Sequence, residues 1–236
     1  RVGVVQAMSL THEWNDELAQ KVRDEECRVD RYEDALGTYL VKLSGRELNH
    51  TDSQSVNTLL HTINDLERIS DHSVNLLKAG QEIQEKSIHF SHEAIDDLSV
   101  LEAAVQDIVN RTVDAFQKND CYAAGKIEPL EQVVDGLVRE VKTRHIARLQ
   151  AGACTIEYGF VLDDLLTNYE RIADHCSNIA VAMIEVSEDR FDTHEYLNHI
   201  KNGESPSFEK RYERYRGRYT FEPGPSGPAA APEQKK

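Results

Sequence analysis

Four pairs of acids spaced four residues apart recur between the two halves of this chain: Glu26/Asp30 with Glu131/Asp135, and Glu67/Asp71 with Glu170/Asp174. On a helix, residues i and i+4 lie nearly above one another, so each pair presents two carboxylates about one turn apart on one face. A single such pair is ordinary on a solvated helix, where neighbours such as Arg68 and Arg171 neutralise it. Recurrence changes that reading. Asn64-Asp-Leu-Glu-Arg-Ile-Ser-Asp-His-Ser-Val-Asn75 returns as Thr167-Asn-Tyr-Glu-Arg-Ile-Ala-Asp-His-Cys-Ser-Asn178, 103 residues on. Glu26-Cys-Arg-Val-Asp30 is matched by Glu131-Gln-Val-Val-Asp135 at an offset of 105, so one helical unit is duplicated with its acids in place.

The chemistry these acids suit is cation binding. Leu59, Ile63, Leu66, Val74 and Leu77 form an apolar stripe at helical spacing, and Glu67 and Asp71 border it at steps of about 40°, with Asn75 continuing the row. Paired carboxylates beside a packed face repel one another and are costly unless compensated. Oxygen donors from adjacent helices suit divalent or trivalent metal ions: magnesium, calcium, a carboxylate-bridged iron or manganese cluster, or zinc. The eight acids are the candidate metal ligands, and the amides of Asn75 and Asn178 are further candidates. His72 and His175 directly follow motif acids. A step of one residue turns a side chain by about 100°, which favours inter-helix hydrogen bonding over ligation for them.

Other chemistries fit less well. Glu47-Leu-Asn-His50 falls at a turn, not on a bundle helix as a ferritin-like di-iron centre requires, and His194 and His199 stand one residue too far apart for a zinc-protease helix. The sequence has no glycine-rich phosphate loop and no nucleophile elbow, so no catalytic residue is assigned and the chain reads as a non-enzyme. Its 27 basic and 42 acidic residues give a formal net charge of −15. A body this negative repels nucleic acid and anionic lipid and attracts cations. Cys27, Cys121, Cys154 and Cys176 show no framework spacing and read as reduced thiols of a cytosolic protein. No apolar run approaches the ~20 residues of a membrane span.

Apolar residues recurring every three or four positions, with Pro129 the one proline between Leu10 and Ser205, predict an all-α body. Helices are expected at about 12–44, 53–86, 92–118, 121–150 and 154–186, with Arg1–Met8 the last turns of a sixth. Pro129 should kink the fourth or mark its start. Phe208, Tyr212, Tyr215 and Tyr219 make a stripe among basic residues, and docking on the bundle is favoured over contact with lipid headgroups. The Pro- and Gly-rich end from Glu222 reads as a disordered tail.

The repeated Glu-Arg-Ile-x-Asp-His segments resemble the PhoU family. The stretch from His145 to Asp163, the Glu170–Ala180 motif and Phe191-Asp-Thr-His-Glu-Tyr-Leu197 resemble the PhoU-like cytoplasmic domain at the C-terminal end of bacterial sodium/phosphate cotransporters. That resemblance implies two three-helix bundles: residues 1–90, with the first helix mostly missing, and residues 91–190. A helical extension over 191–221 and the tail 222–236 follow. It further implies multinuclear metal sites at the acid motifs and a regulatory role in phosphate uptake, on the cytoplasmic side of the plasma membrane as part of a membrane protein. The expected partner is a transmembrane transport domain of the same polypeptide, upstream of an Arg1 that lacks an initiator Met. A homodimer and phosphate are further candidate partners; nucleic acid is not. The alternatives are a free-standing PhoU-like regulator of a phosphate ABC transporter and sensor kinase, or a carboxylate-bridged metalloenzyme.

Overall fold

Asn15, Asn49, Ser91 and Asp120 each turn the chain into a helix, the side chain accepting the backbone N–H three residues on. These caps satisfy donors that the first turn of a helix leaves open. In the computed structural model, which describes residues 1–188 and 206–222, the helices are α1 (Val2–His12), α2 (Asp16–Ser44), α3 (His50–Glu85) and α4 (His92–Lys118). They continue with α5 (Cys121–Ala124), α6 (Glu128–Gln150), α7 (Ile156–Glu188) and α8 (Pro206–Arg218). Residues 223–236, most of the expected tail, and the segment with His194 and His199 lie outside the described residues.

One expected helix starts later than expected, and one is divided. Asn15 caps α2, and the Trp14 indole donates to Asp16 Oδ1 at 2.8 Å, so α2 begins at Asp16 rather than near residue 12, and the separate helix expected before it, α1, runs on to His12. Pro129 lies in the first turn of α6, where its missing N–H costs nothing, and α5 with a tight turn occupies the residues before it. The proline marks a start rather than a kink.

Helices α1–α3 form one bundle, and α4, α6 and α7 a second, with α5 packed against α4 and α7. The motif helices α3 and α7 pack on each other and join the bundles around one core, in which Leu76, Tyr169 and Ile172 are fully buried. The stripe on α8 docks on the second bundle: Phe208, Tyr215 and Tyr219 are buried, Tyr219 donates to Asp107 at 2.9 Å, and Arg111 lies over the Tyr215 ring.

The duplicated bundles are unequal. α1 has 11 residues where its counterpart α4 has 27. Tyr32 and Leu36 on α2 are 63% and 45% exposed, whereas their repeat equivalents on α6, Leu137 and Val141, are 5% and 0% exposed under α4. A groove of about 530 Å³ runs beside Val29, Leu36 and Ile63 and reaches Val109 and Thr112 of α4. Of the apolar line expected to be open there, Leu36 is exposed, Leu43 half-buried and Leu40 buried.

α1 crosses α3 at Gly80, where a Cβ would sit 2.7 Å from the Leu10 carbonyl oxygen. Backbone cannot yield as a side chain can, so Gly80→Ala is expected to destabilise by about 1–3 kcal/mol. Gly136 on α6 has nothing within 4 Å of such a Cβ. Gly136→Ala should instead stabilise by about 0.5–1 kcal/mol through helix propensity. Urea midpoints of the two variants, moving in opposite directions, check both.

Candidate metal centres

Pairing of α2 with α3, and of α6 with α7, brings the motif acids of different helices together. Glu26 and Asp30 of α2 meet Asp71 of α3, and Glu131 and Asp135 of α6 meet Asp174 of α7, each trio offering oxygens all within 4.8 Å of one another. The repeat thus builds the same three-carboxylate group twice, two acids from one helix and one from the next. Glu67 stands one turn before Asp71 and hydrogen-bonds to it, outside the trio; Glu170 holds the same position before Asp174. Glu131 is buried, and Asp174 accepts from Arg171 at 3.0 Å.

The donor set fits a hard cation. An ion about 2.4 Å from each ligand reaches oxygens up to about 4.8 Å apart, and all-carboxylate coordination is what magnesium, calcium, manganese or a carboxylate-bridged iron centre takes.

Burial, and then the negative charge of Asp71, push the Glu67 carboxyl from its ordinary 4.5 up to about 7. Between those values the folded chain holds a proton that the unfolded chain releases. Stability of the metal-free protein therefore falls as pH rises from 4.5 to 7 on account of this group, and changes little on its account outside that window. Glu67→Gln should flatten that part of the slope. Urea midpoints at pH 5 and pH 8, compared between the two proteins, measure it; equal slopes would refute a raised Glu67.

The histidines and amides stand apart from the trios. His72 Nδ1 lies 2.8 Å from Asn168 Oδ1, and His175 Nδ1 lies 2.9 Å from Asp65 Oδ1. The two rings stack at 5.6 Å across the α3–α7 junction. Asn178 donates to Asp65 at 3.4 Å, and Asn75 accepts from Lys78 at 3.4 Å. Asp65 and Asn168 are themselves repeat equivalents, so each histidine is held by the residue seven positions before its counterpart in the other unit. The two-unit alignment carried that signal, yet neither partner was a candidate from the sequence. Also unforeseen are Arg139 and Tyr212, which with Glu131, Gln132 and Asp135 line a cavity of about 270 Å³ at the second trio.

A duplicated three-helix unit with an acid trio at each α2–α3-type seam defines the class of protein. The sequence profile of the PhoU domain matches twice, over residues 4–79 and 98–183, and the chain belongs to the PhoU family. It is 24% identical over 191 residues, covering 80% of this chain and 81% of the relative, to phosphate-specific transport system accessory protein PhoU homolog 1 of Thermotoga maritima. It is 23% identical over 168 residues to the corresponding Pseudomonas aeruginosa protein, covering 71% and 69% of the two chains. The crystal structure of PhoU from Pseudomonas aeruginosa superposes with a TM-score of 0.73 at 22% identity, over 79% of this chain and 89% of that one. The phosphate transport system regulatory protein PhoU from Streptococcus pneumoniae superposes at 0.70 and 17%, over 80% and 88%.

These relatives correct the expectation of a sodium/phosphate cotransporter domain. The proteins that share most of their length with this chain are named accessory proteins of phosphate-specific transport systems, and no helix among the described residues is long and apolar enough to cross a membrane. The partner expected in the same polypeptide, a transmembrane transport domain, and the placement as part of a membrane protein are corrected with it. Of the segments that suggested that subgroup, His145–Asp163 joins the end of α6 to the start of α7, Glu170–Ala180 lies within α7, and Phe191–Leu197 falls outside the described residues.

Proposed function

We propose that this chain is a metal-binding accessory regulator of phosphate uptake, acting without catalysis on a phosphate-specific ABC transporter and its sensor kinase from the cytoplasmic side. The reading is carried by the double PhoU-domain match together with the similarity, over four fifths of its length, to a relative named as an accessory protein of phosphate-specific transport. Four free thiols accord with a reducing compartment. A cation bound at each seam would supply the positive charge that offsets the carboxylate repulsion. Glu26, Asp30 and Asp71 would then hold α2 to α3, and Glu131, Asp135 and Asp174 hold α6 to α7, fixing the surface that a partner reads.

The test is complementation. A phosphate-transport strain lacking its PhoU protein is supplied with this chain, and phosphate uptake and induction of the phosphate-starvation response are measured. Restored repression in phosphate-rich medium is expected, and its loss when both trios are neutralised. A chain that leaves uptake and induction unchanged would overturn the regulatory reading.

A further inference from the structure

The two centres differ in charge in a way that the repeat makes measurable. On α2 the row continues Glu26, Asp30, Asp34; on α6 the equivalent row is Glu131, Asp135, Arg139. Counting these rows with Glu67, Arg68 and Asp71 of α3, the first centre has five carboxylates and one guanidinium, a formal −4. The second, with Glu170, Arg171 and Asp174 of α7, has four carboxylates and two guanidiniums, a formal −2. One divalent ion in each trio would leave the first centre at −2 and bring the second to neutrality, so the second no longer repels an anion. The second also has space: Arg139, Gln132 and Tyr212 line the 270 Å³ cavity beside Glu131 and Asp135. Tyr212 comes from α8, outside both stretches matched by the PhoU profile. A guanidinium, a phenol and a primary amide are hydrogen-bond donors of the kind that tetrahedral oxyanions take.

We propose that the second centre, once loaded with metal, binds a tetrahedral oxyanion of the phosphate class in this cavity, with Arg139 and Tyr212 as its protein donors, and that the first centre does not. The inference rests on the metal-binding reading above. It makes the C-terminal helix part of a ligand site rather than a cover alone: α8 is held to the bundle by Arg211, which donates to the Gly125 carbonyl at 2.7 Å, and so Tyr212 is fixed over α6.

Manganese-loaded protein supplies the test, because bound Mn²⁺ broadens the ³¹P resonance of a nearby phosphate and its own EPR signal reports binding. Inorganic phosphate is titrated against wild type, Arg139→Gln, Tyr212→Phe and Asp135→Asn, with phenyl phosphate in parallel to tell a free ion from a phosphoryl group on a larger molecule. Wild type should broaden phosphate saturably. Arg139→Gln should keep its manganese but bind phosphate at least tenfold more weakly, and Tyr212→Phe severalfold more weakly. Asp135→Asn should lose both manganese at this centre and the broadening. Manganese binding with no saturable broadening, or broadening unchanged in Arg139→Gln, overturns the oxyanion site while leaving the metal reading standing. Free manganese alone in the wild-type EPR spectrum overturns both.

Discussion

Asp97→Ala is expected to lower the stability of the protein by about 3–5 kcal/mol, the range for removing one partner of a buried ion pair. Asp97 is 2% exposed in the second turn of α4, and it faces α6. Its Oδ1 accepts from Arg144 Nε at 2.9 Å and its Oδ2 from Arg148 Nη1 at 2.7 Å. Arg144 is further clamped, donating to the Glu222 carbonyl at 3.0 Å with the Phe221 ring stacked 5.1 Å away. The alanine variant leaves two guanidiniums facing a site without its carboxylate. Asp97→Asn, which keeps one acceptor, should cost less. Replacing all three by apolar residues of similar size should recover most of the loss, because nothing charged is then left buried. Urea unfolding of the three variants ranks them. An alanine variant within 1 kcal/mol of wild type would show that water reaches the arginines and that the network contributes little.

That network was invisible in the sequence, and the reason is physical. Asp97 and Arg148 are 51 residues apart with no repeat equivalent pairing them, so no spacing on a single helix betrays their meeting. What periodicity encodes is the face of one helix. The acid trios were legible because each contains an i,i+4 pair and because duplication placed the same pair twice; which third acid joins each trio depends on the α2–α3 and α6–α7 packing. His72 and His175 show the boundary well. Their rotation from Asp71 and Asp174 pointed to inter-helix hydrogen bonding, but the stack of the two rings on each other needed the helices to be placed. Break residues located the turns, yet Asn15 moved the start of one expected helix and Pro129 divided another, because a cap and a first-turn proline act within one or two residues of a boundary. Tyr212 illustrates the remaining gap: its stripe predicted docking on a bundle, while the register that sets this ring beside Glu131 follows from contacts between α8 and α6.

With a cation at each trio as proposed, its removal is expected to lower the melting temperature by about 5–10 °C for each centre emptied. A ligand that binds only the folded state adds about 2.7 kcal/mol at a hundredfold excess over its Kd. For a chain of this length 1 kcal/mol corresponds to about 2–4 °C. The two centres should separate in pH. Glu67, with its carboxyl raised to about 7, keeps a proton beside Asp71 that a cation must displace, so metal at the first centre should weaken as pH falls from 8 to 6. Glu67→Gln with Asp71→Asn should lower bound metal by one centre's share and remove that centre's part of the melting shift. The second, whose ligands come from α6 and α7, should retain its metal, since the two groups share no helix. Scanning calorimetry before and after exhaustive chelation, with elemental analysis of the same samples, measures both quantities. An unchanged midpoint in fully stripped protein would refute metal as a structural clamp. Loss of all metal from the first-centre variant would refute two independent centres: the bundles would then have to be coupled through the α3–α7 junction, where His72 and His175 stand next to Asp71 and Asp174 and could transmit the loss.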